Sequence, residues 1–188
     1  DVLPPTKLLN LLARVDPFPQ IAGPLSPVAP PDPALLRSRG VRLAAPSVVR
    51  VLGTACGLRI AGSGWVASPR LIVTAAHVVA GEDDTMVSAP EGTFRAQAIA
   101  FDSQNDIAVL SVPGLSARPL RLVDPRPGAS VAIVGYPENG PLDAVPGRIG
   151  ETATVFAEDA YGRRTRRTVT SIGGRVRHGD SGGPAVDA

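Results

Sequence analysis

The stretch Gly179-Asp180-Ser181-Gly182-Gly183-Pro184 places one serine hydroxyl in a run of glycines. Glycine has no Cβ, so the backbone can form a tight turn and another molecule can approach it closely. We expect the backbone N–H groups of Gly179 and Ser181 to point together at a developing oxyanion. Ser181 is therefore a candidate nucleophile, but a serine hydroxyl is a poor nucleophile at neutral pH and needs an adjacent base.

Two residues upstream supply the groups that such a serine needs. His77 directly follows an apolar strand candidate, and an imidazole can accept the proton of the serine and later return it to the leaving group. Asp106 opens another apolar run, and a carboxylate behind the imidazole fixes its tautomer and stabilises the imidazolium. The sequence predicts a catalytic triad of His77, Asp106 and Ser181, with an oxyanion hole formed by Gly179 and Ser181.

Three motifs in this order resemble the trypsin-like serine proteases, which have the chymotrypsin fold. They are Thr-Ala-Ala-His at positions 74–77, Asp-Ile-Ala-Val-Leu at 106–110 and the glycine-rich stretch at 179–184. The spacing of the three candidate residues is similar to that of the compact bacterial branch that includes the HtrA-type proteases. The resemblance covers residues 47–188 and implies a serine endopeptidase that hydrolyses peptide bonds through an acyl-enzyme.

The composition favours an all-β fold. Twenty prolines and twenty glycines among 188 residues argue against long helices and for short strands joined by tight turns. The resemblance implies two six-stranded antiparallel β-barrels of the chymotrypsin type, and we divide the chain into an arm (1–45), a first barrel (46–115) and a second barrel (116–188). Strand candidates lie at 47–52, 58–60, 64–67, 71–74, 86–88, 93–100, 107–112, 120–123, 130–136, 147–156, 167–172 and 183–186.

The first 45 residues are predicted to be an arm that lies on the domain or a plain linker that tethers it. A short amphipathic stretch at 7–14 is a helix candidate. Seven prolines between positions 17 and 33 predict extended, strand-free chain, because proline fixes φ and has no N–H to donate.

The sequence departs from the family pattern after the nucleophile. Few residues follow Ser181, so we expect the second barrel to be incomplete in this chain. Its remaining strands are expected to be disordered, to lie in an omitted continuation or to form a separate cleaved chain. Cys56 is the single cysteine, and we expect either a disulfide to a cysteine beyond residue 188 or a buried free thiol. The first residue is not the Ile or Val that activates many animal members of the family, so we expect Asp180 to pair elsewhere.

Other function classes receive little support. A net charge of +2 with 4% aromatic residues argues against nucleic-acid binding. Two histidines and one cysteine provide no metal site, and no cofactor is expected. No apolar run approaches the roughly 18–20 residues of a membrane span. The Gly-x-Ser-x-Gly pattern also fits an α/β-hydrolase, but that fold places its histidine after the serine, and no histidine follows Ser181.

The resemblance implies further properties of the whole protein. These are protein or peptide substrates, including cell-wall proteins, a periplasmic or extracellular location, a membrane-anchored parent, a role in stress and acid resistance, and self-cleavage in or after the arm. We expect a monomer. The alternative function is a catalytically silent binding scaffold, or a processed inactive form of the protease.

Two positively charged features have open interpretations. His178 is either an exposed loop histidine or a residue whose protonation near pH 6 alters the oxyanion loop. The arginines at positions 163, 164, 166 and 167 form either a solvated loop or a site for an anionic partner such as a cell-wall polymer or a lipid headgroup.

Overall fold

Two curled antiparallel sheets dominate the computed structural model, which describes residues 21–22, 28–55, 58–82 and 84–188. The strands are β1 (Ile21–Ala22), β2 (Val48–Ala55), β3 (Leu58–Ser68), β4 (Leu71–Thr74), β5 (Met86–Ala89), β6 (Gly92–Arg95), β7 (Gln97–Asp102), β8 (Ile107–Ser111), β9 (Ser130–Gly135), β10 (Asp143–Glu158), β11 (Arg164–Gly174) and β12 (Ala185–Val186). The helices are α1 (Arg39–Ala44), α2 (Ala76–Val79) and three short 3-10 segments, Pro33–Arg37, Ala45–Ser47 and Pro137–Asn139. The predicted all-β class is confirmed.

The first half-barrel is a sheet in the order β6-β5-β2-β3-β4-β8-β7. β4 and β8 alternate between buried and more exposed side chains, as expected when one face of a sheet covers a core, whereas every residue of the edge strand β7 is exposed. In β4 the side chains of Ile72 and Thr74 are buried, and in the paired β8 those of Ala108 and Leu110 are buried. The main apolar core of the described residues lies inside this sheet and includes Val49, Val51, Val66, Val78, Val87 and Val112.

A bend gives this sheet seven strands where six were predicted. The strand candidate at 93–100 turns a corner at Ala96, whose N–H donates to the carbonyl of Thr85 (2.9 Å). Residues before the corner pair with β5 as β6, and residues after it pair with β8 as β7. Conversely, the two separate candidates at 58–60 and 64–67 form one continuous strand, β3.

The second half-barrel contains β1, β10, β9 and β12 in that order, with β11 paired along the far part of β10. A register shift between Ile149 and Thr152 allows the β10–β11 hairpin to bend. Gly147 and Gly174 face each other across this hairpin and leave room for the side chain of Ile133 from β9. The hairpin can therefore curl over its own small core.

The structure corrects the prediction that the proline-rich arm is strand-free. Ile21 and Ala22 pair with Ala157 and Phe156 of β10, at a point of the arm where no proline interrupts the two residues. Farther along, Asp32 caps the 3-10 helix and Ser38 caps α1 with its hydroxyl. These helices pack on the second half-barrel and on the start of β2. Leu35, Leu36 and Val41 share an apolar cluster with Val48 of β2 and with Ala132 and Val134 of β9.

The strand candidate at 120–123 is wrong. This stretch connects the two half-barrels as irregular chain, and Leu122 and Val123 are 77% and 53% exposed. Pro119, Pro125 and Pro127 remove backbone donors on both sides of the apolar residues, so a ladder of hydrogen bonds cannot extend through this stretch.

The helix candidate at 7–14 and Cys56 lie outside the described residues. Within those residues, no helix has the length and hydropathy needed to cross a membrane.

Candidate active site

His77 and Asp106 form a hydrogen-bonded pair at the edge of the first half-barrel. His77 lies in α2, which follows β4 directly, and Asp106 precedes β8, the strand beside β4. The His77 Nδ1 lies 2.8 Å from Asp106 Oδ2, and the His77 backbone N–H donates to Oδ1 at 2.9 Å. This two-point contact fixes both the main chain and the ring of the histidine. It favours the tautomer that carries its proton on Nδ1.

The other ring nitrogen of His77 is buried and unpaired. Nε2 has no hydrogen-bond partner among the residues that the structure describes. In the tautomer set by Asp106, this nitrogen is a proton acceptor. The neighbouring residues Ala76, Val78 and Val79 are buried and anchor the short helix α2 in the core. His77 therefore has the orientation and the free lone pair that a general base needs.

Ser181 lies in a loop in which the carbonyl groups of residues 177–181 are all held by hydrogen bonds. Five consecutive carbonyls accept hydrogen bonds, and the donors come from three different parts of the chain. The pairs are Arg177 O with Asp180 N (3.1 Å), His178 O with Glu138 N (2.6 Å), Gly179 O with Ser63 Oγ (2.6 Å), Asp180 O with Gly183 N (2.9 Å) and Ser181 O with Ser63 N (2.8 Å).

These fixed carbonyls determine where the backbone N–H groups point. In a trans peptide the N–H points away from the carbonyl of the preceding residue. The N–H groups of Gly179 and Ser181 are therefore directed to the side opposite the bonded carbonyls of His178 and Asp180. Within the described ranges neither N–H donates a hydrogen bond. The loop thus presents two unused donors close to the Ser181 hydroxyl.

Two glycines of this loop cannot be replaced without strain. Gly179 and Gly182 have φ angles of +93° and +81°, in the left-handed region that disfavours side chains. A Cβ on Gly179 would overlap the carbonyl of Tyr136, and one on Gly182 would overlap groups of Ser63 and Thr74. The glycine-rich sequence is required by the close packing of this loop against both half-barrels.

The structure brings His77 and Asp106 together. The helix α2, which carries His77, and the loop that carries Ser181 both pack against β3. Gly62 of β3 lies between the two parts, because a Cβ there would be 2.6 Å from Val78 and 3.1 Å from the Ser181 carbonyl. No hydrogen bond joins Ser181 to His77 within the described part of the chain. The side chain of Ser181 is half-buried.

Asp180, the acid before Ser181, turns back onto its own loop. Its Oδ2 accepts from the backbone N–H of Arg177 (2.9 Å). Burial raises the pKa of the Asp180 carboxyl, and the bond from Arg177 opposes this rise. The Arg177 guanidinium also pairs with Asp143 at the start of β10, and its hydrogen bond lowers the pKa of the Asp143 carboxyl. These contacts tie the residues before Ser181 to the second half-barrel.

Arg167 is not part of a solvated loop, so that interpretation is corrected. It lies in β11, its side chain is 6% exposed, and its Nη1 is 4.0 Å from Asp106 Oδ2. Neighbouring arginines have other partners, since Arg163 pairs with Asp159 and Arg164 lies over the ring of Phe156. The signal that could have found Arg167 is strand alternation, which turns every second side chain toward the core.

Sequence reasoning also missed Ser63, which is fully buried in β3. Its hydroxyl accepts from the N–H of Tyr136 (2.8 Å) and donates to Gly179 O. The short motif Gly62-Ser63-Gly64 was the available signal, because glycines inside a strand often mark a close approach of backbone. His178, three residues before Ser181, is an exposed residue.

The curled half-barrels, the histidine–aspartate pair and the glycine-rich serine loop are the features of a trypsin-like serine protease. The family model described as the trypsin-like peptidase domain matches residues 62–188, and the chain belongs to this family. The predicted class, a serine protease among the hydrolases, is confirmed.

Among individual proteins, the chain is similar to the serine protease Rv3671c (MarP) of Mycobacterium tuberculosis. The two are 40% identical over 189 residues, which cover 96% of this chain and 47% of the relative. The crystal structure of the active form of the Rv3671c protease matches with a TM-score of 0.81 and 38% identity, over 89% of this chain and 79% of that one. An inactive form matches with a TM-score of 0.76 and 39% identity, over 86% and 81% of the two chains.

The HtrA-like character is also confirmed. A Halomonas elongata protein named probable periplasmic serine endoprotease DegP-like is 31% identical over 131 residues, which cover 67% of this chain and 27% of that protein. The predicted chymotrypsin-type fold is borne out by the match to the Rv3671c structures. The chain spans about half the length of Rv3671c.

Proposed function

We propose that this chain is a serine endopeptidase in which His77 is the general base, Asp106 orients it and Ser181 is the nucleophile. The observation that carries the proposal is the two-point contact of Asp106 with His77, which leaves Nε2 buried and without a partner among the described residues. A second feature supports it. The N–H groups of Gly179 and Ser181 are unused among the described residues, while the carbonyls of residues 177–181 all accept hydrogen bonds.

The first half of the reaction forms an acyl-enzyme. Ser181 Oγ attacks the carbonyl carbon of the substrate, and its proton passes to His77 Nε2. The negative charge that develops on the substrate oxygen is stabilised by the N–H groups of Gly179 and Ser181, where each donor is worth about 3–4 kcal/mol. The imidazolium then gives its proton to the amine nitrogen, the C–N bond breaks and the amine product leaves.

The second half of the reaction regenerates the enzyme. His77 Nε2 takes a proton from water, the hydroxyl oxygen attacks the acyl carbon, and a second tetrahedral oxyanion forms in the same place. Its collapse breaks the ester bond, and the imidazolium returns the proton to Ser181 Oγ. Asp106 stays ionised throughout, because its part is to hold the Nδ1 proton and to stabilise the imidazolium.

We also propose where and on what this protein acts. Protein or peptide substrates outside the cytoplasm, including cell-wall proteins, agree with the sequence resemblance and with the periplasmic name of the DegP-like relative. A membrane-anchored parent, self-cleavage at the arm, a monomeric state, a role in acid and stress resistance, and the division into 1–45, 46–115 and 116–188 belong to the same proposal. Fractionation of cells that express the full-length protein tests the location.

The disulfide of Cys56 stays a prediction. Alkylation of the full-length oxidised protein, with and without prior reduction, tests it by mass spectrometry. Modification of Cys56 only after reduction would support the disulfide, whereas modification in the oxidised protein would show a free thiol.

A serine-directed fluorophosphonate tests the proposed activity. Intact mass should rise by one label in the parent, while Ser181→Ala and His77→Ala should stay unlabelled. Ser171→Ala is a matched control, because this hydroxyl lies in β11 and bonds to the carbonyl of Glu151, away from the site. Failure of the parent to label at any pH would refute the protease proposal and favour the binding scaffold.

A further inference from the structure

Ser63 joins the two half-barrels at the nucleophile loop, which is the loop that carries Ser181. It lies in the middle of β3, in the first half-barrel, and it has no exposed surface. Its backbone N–H donates to the carbonyl of Ser181 at 2.8 Å. Any residue except proline could make that main-chain bond, but the hydroxyl of Ser63 makes two further hydrogen bonds.

The direction of these two bonds is fixed by chemistry. The N–H of Tyr136 can only donate, so the hydroxyl oxygen of Ser63 accepts from it at 2.8 Å. A hydroxyl has one proton, and the only acceptor of the pair is the carbonyl of Gly179, at 2.6 Å. The Ser63 hydroxyl thus bridges Tyr136 at the end of β9 to Gly179 beside the nucleophile.

The carbonyl of Gly179 needs this bond because glycine does not restrain its own backbone. The φ of Gly179 is +93°, in a region that glycine adopts without a steric penalty, so the residue itself does not fix the peptide planes on either side of it. The hydroxyl proton of Ser63 holds the peptide that follows Gly179, and Glu138 N–H holds the peptide that precedes it through His178 O (2.6 Å). Together these two contacts orient the N–H of Gly179.

The segment that contains Tyr136, the other partner of the Ser63 hydroxyl, is also attached to the first half-barrel. Arg50 of β2 donates from Nη2 to the carbonyl of Gly140 (2.6 Å), and its guanidinium lies 4.8 Å from the ring centroid of Tyr136. The same segment supplies the Glu138 N–H, with Glu138 in a left-handed conformation (φ +54°). Tyr136 is therefore a firm partner for the Ser63 hydroxyl.

We infer that Ser63 is a positioning residue for the oxyanion hole, acting through its hydroxyl on the Gly179 peptide. This inference rests on the proposed protease function. Removing the hydroxyl leaves the Tyr136 N–H and the Gly179 carbonyl without partners in a buried place, and an unsatisfied buried group is costly. The peptide between Gly179 and Asp180 would then be free to rotate to find another donor. Only the Glu138 contact would still hold the peptide that carries the Gly179 N–H, and because Gly179 does not restrain its own backbone, this N–H would lose its fixed direction toward the oxyanion.

The test compares Ser63→Ala with the parent and with Thr85→Val. Thr85 is a matched control because its hydroxyl is also buried and donates a side-chain hydrogen bond, to Glu82, but lies outside the site. Fluorophosphonate titration counts the competent sites, and peptide hydrolysis then gives kcat for each titrated site. A peptide boronate, whose tetrahedral adduct places an oxygen in the oxyanion hole, is measured in parallel.

We expect Ser63→Ala to lower kcat per titrated site by about ten- to hundredfold, because small misplacements of catalytic groups have effects of this size. The boronate should bind more weakly by a similar factor, while KM and the Thr85→Val variant change little. A merely structural role would lower the number of titrated sites and leave kcat per site unchanged, and that result would overturn the inference.

Ser63→Cys covers the case in which Ser63→Ala does not fold. A thiol keeps the shape of the side chain but donates weakly, so kcat per site should fall between the parent and the alanine variant. A cysteine variant equal to the parent in kcat and boronate affinity would overturn the inference. If the parent itself shows no labelling that depends on Ser181, both the proposed function and the inference fail, whereas an active parent with an unaffected Ser63→Ala removes the inference alone.

Discussion

Glu82 is the carboxyl group whose environment gives the sharpest prediction of pH-dependent stability. It follows α2 and packs against Gly53 of β2 so closely that a Cβ on Gly53 would overlap the carboxylate. Its Oε2 accepts from the Thr85 hydroxyl at 2.9 Å, and its Oε1 is buried without a partner among the described residues. Burial raises the pKa of Glu82 to about 7, with a smaller contribution from the nearby charge of Asp84, while the Thr85 bond opposes the rise.

The sign of the effect follows from linkage. Between the ordinary pKa of 4.5 and the folded value of about 7, the folded protein binds a proton at Glu82 that the unfolded chain has released. The free energy of unfolding therefore falls as the pH rises through this window. A rise of this size corresponds to about 3 kcal/mol, and because the side chain is only half-buried we expect solvent screening to reduce it to about 1–2 kcal/mol.

Glu82→Gln removes the charge and keeps a carbonyl oxygen for the Thr85 hydroxyl. We expect this variant to unfold with a free energy about 1–2 kcal/mol higher than the parent at pH 8, and close to the parent at pH 4.5. Urea denaturation at both pH values measures the difference, with the exposed Glu151→Gln as control. Equal effects at the two pH values, or a less stable variant at pH 8, would refute the reasoning.

Three further substitutions probe the candidate site, and a fourth, Gly162→Ala, serves as a control. Asp106→Asn should lower kcat by about 10⁴ in a peptide-hydrolysis assay, because an amide cannot hold the Nδ1 proton of His77, and a small change would argue against the triad. Gly182→Ala should cost more than about 2 kcal/mol in chemical denaturation and abolish activity. Gly162→Ala, at a similar φ of +76° but with open space around it, should cost only about 1 kcal/mol. Arg167→Met should change stability by less than about 1 kcal/mol, because one contact at 4.0 Å poorly offsets the burial of a guanidinium, and a loss above about 3 kcal/mol would contradict this.

The parts of the fold that could be predicted from the sequence are those set by local alternation. The candidate at 71–74 coincides with β4, and the candidate at 130–136 matches β9 to within one residue. The candidate at 120–123 has the same apolar character, yet no neighbouring strand pairs with it in the described sheets. Local pattern cannot reveal whether a partner strand exists, and it cannot place the corner at Ala96, which depends on a contact with Thr85.

The residues of the candidate site also differ in whether the sequence alone could predict them. His77 and Asp106 were predicted because one follows an apolar strand candidate and the other opens one, within motifs that resemble a known family. The structure shows that these two strands, β4 and β8, are neighbours. Ser63 was missed because its partner Gly179 is 116 residues away in the sequence, and only the packing of the half-barrels brings them together. Arg167 was missed because a run of arginines suggests a solvated surface, whereas the hairpin turns this one inward.

The two halves of the proposed catalytic machinery depend on different parts of the fold. The His77–Asp106 pair forms entirely within the first half-barrel, between α2 and the residue before β8. The nucleophile loop, by contrast, takes two of its five carbonyl contacts from Ser63 of the first half-barrel and one from Glu138 of the second. A change that loosens the contact between Ser63 and this loop should therefore disturb the proposed oxyanion donors, while the proposed base, His77, stays in place. The enzyme would then lose kcat through the orientation of Gly179 before it loses the orientation of His77, which makes the junction at Ser63 the more sensitive half of the site.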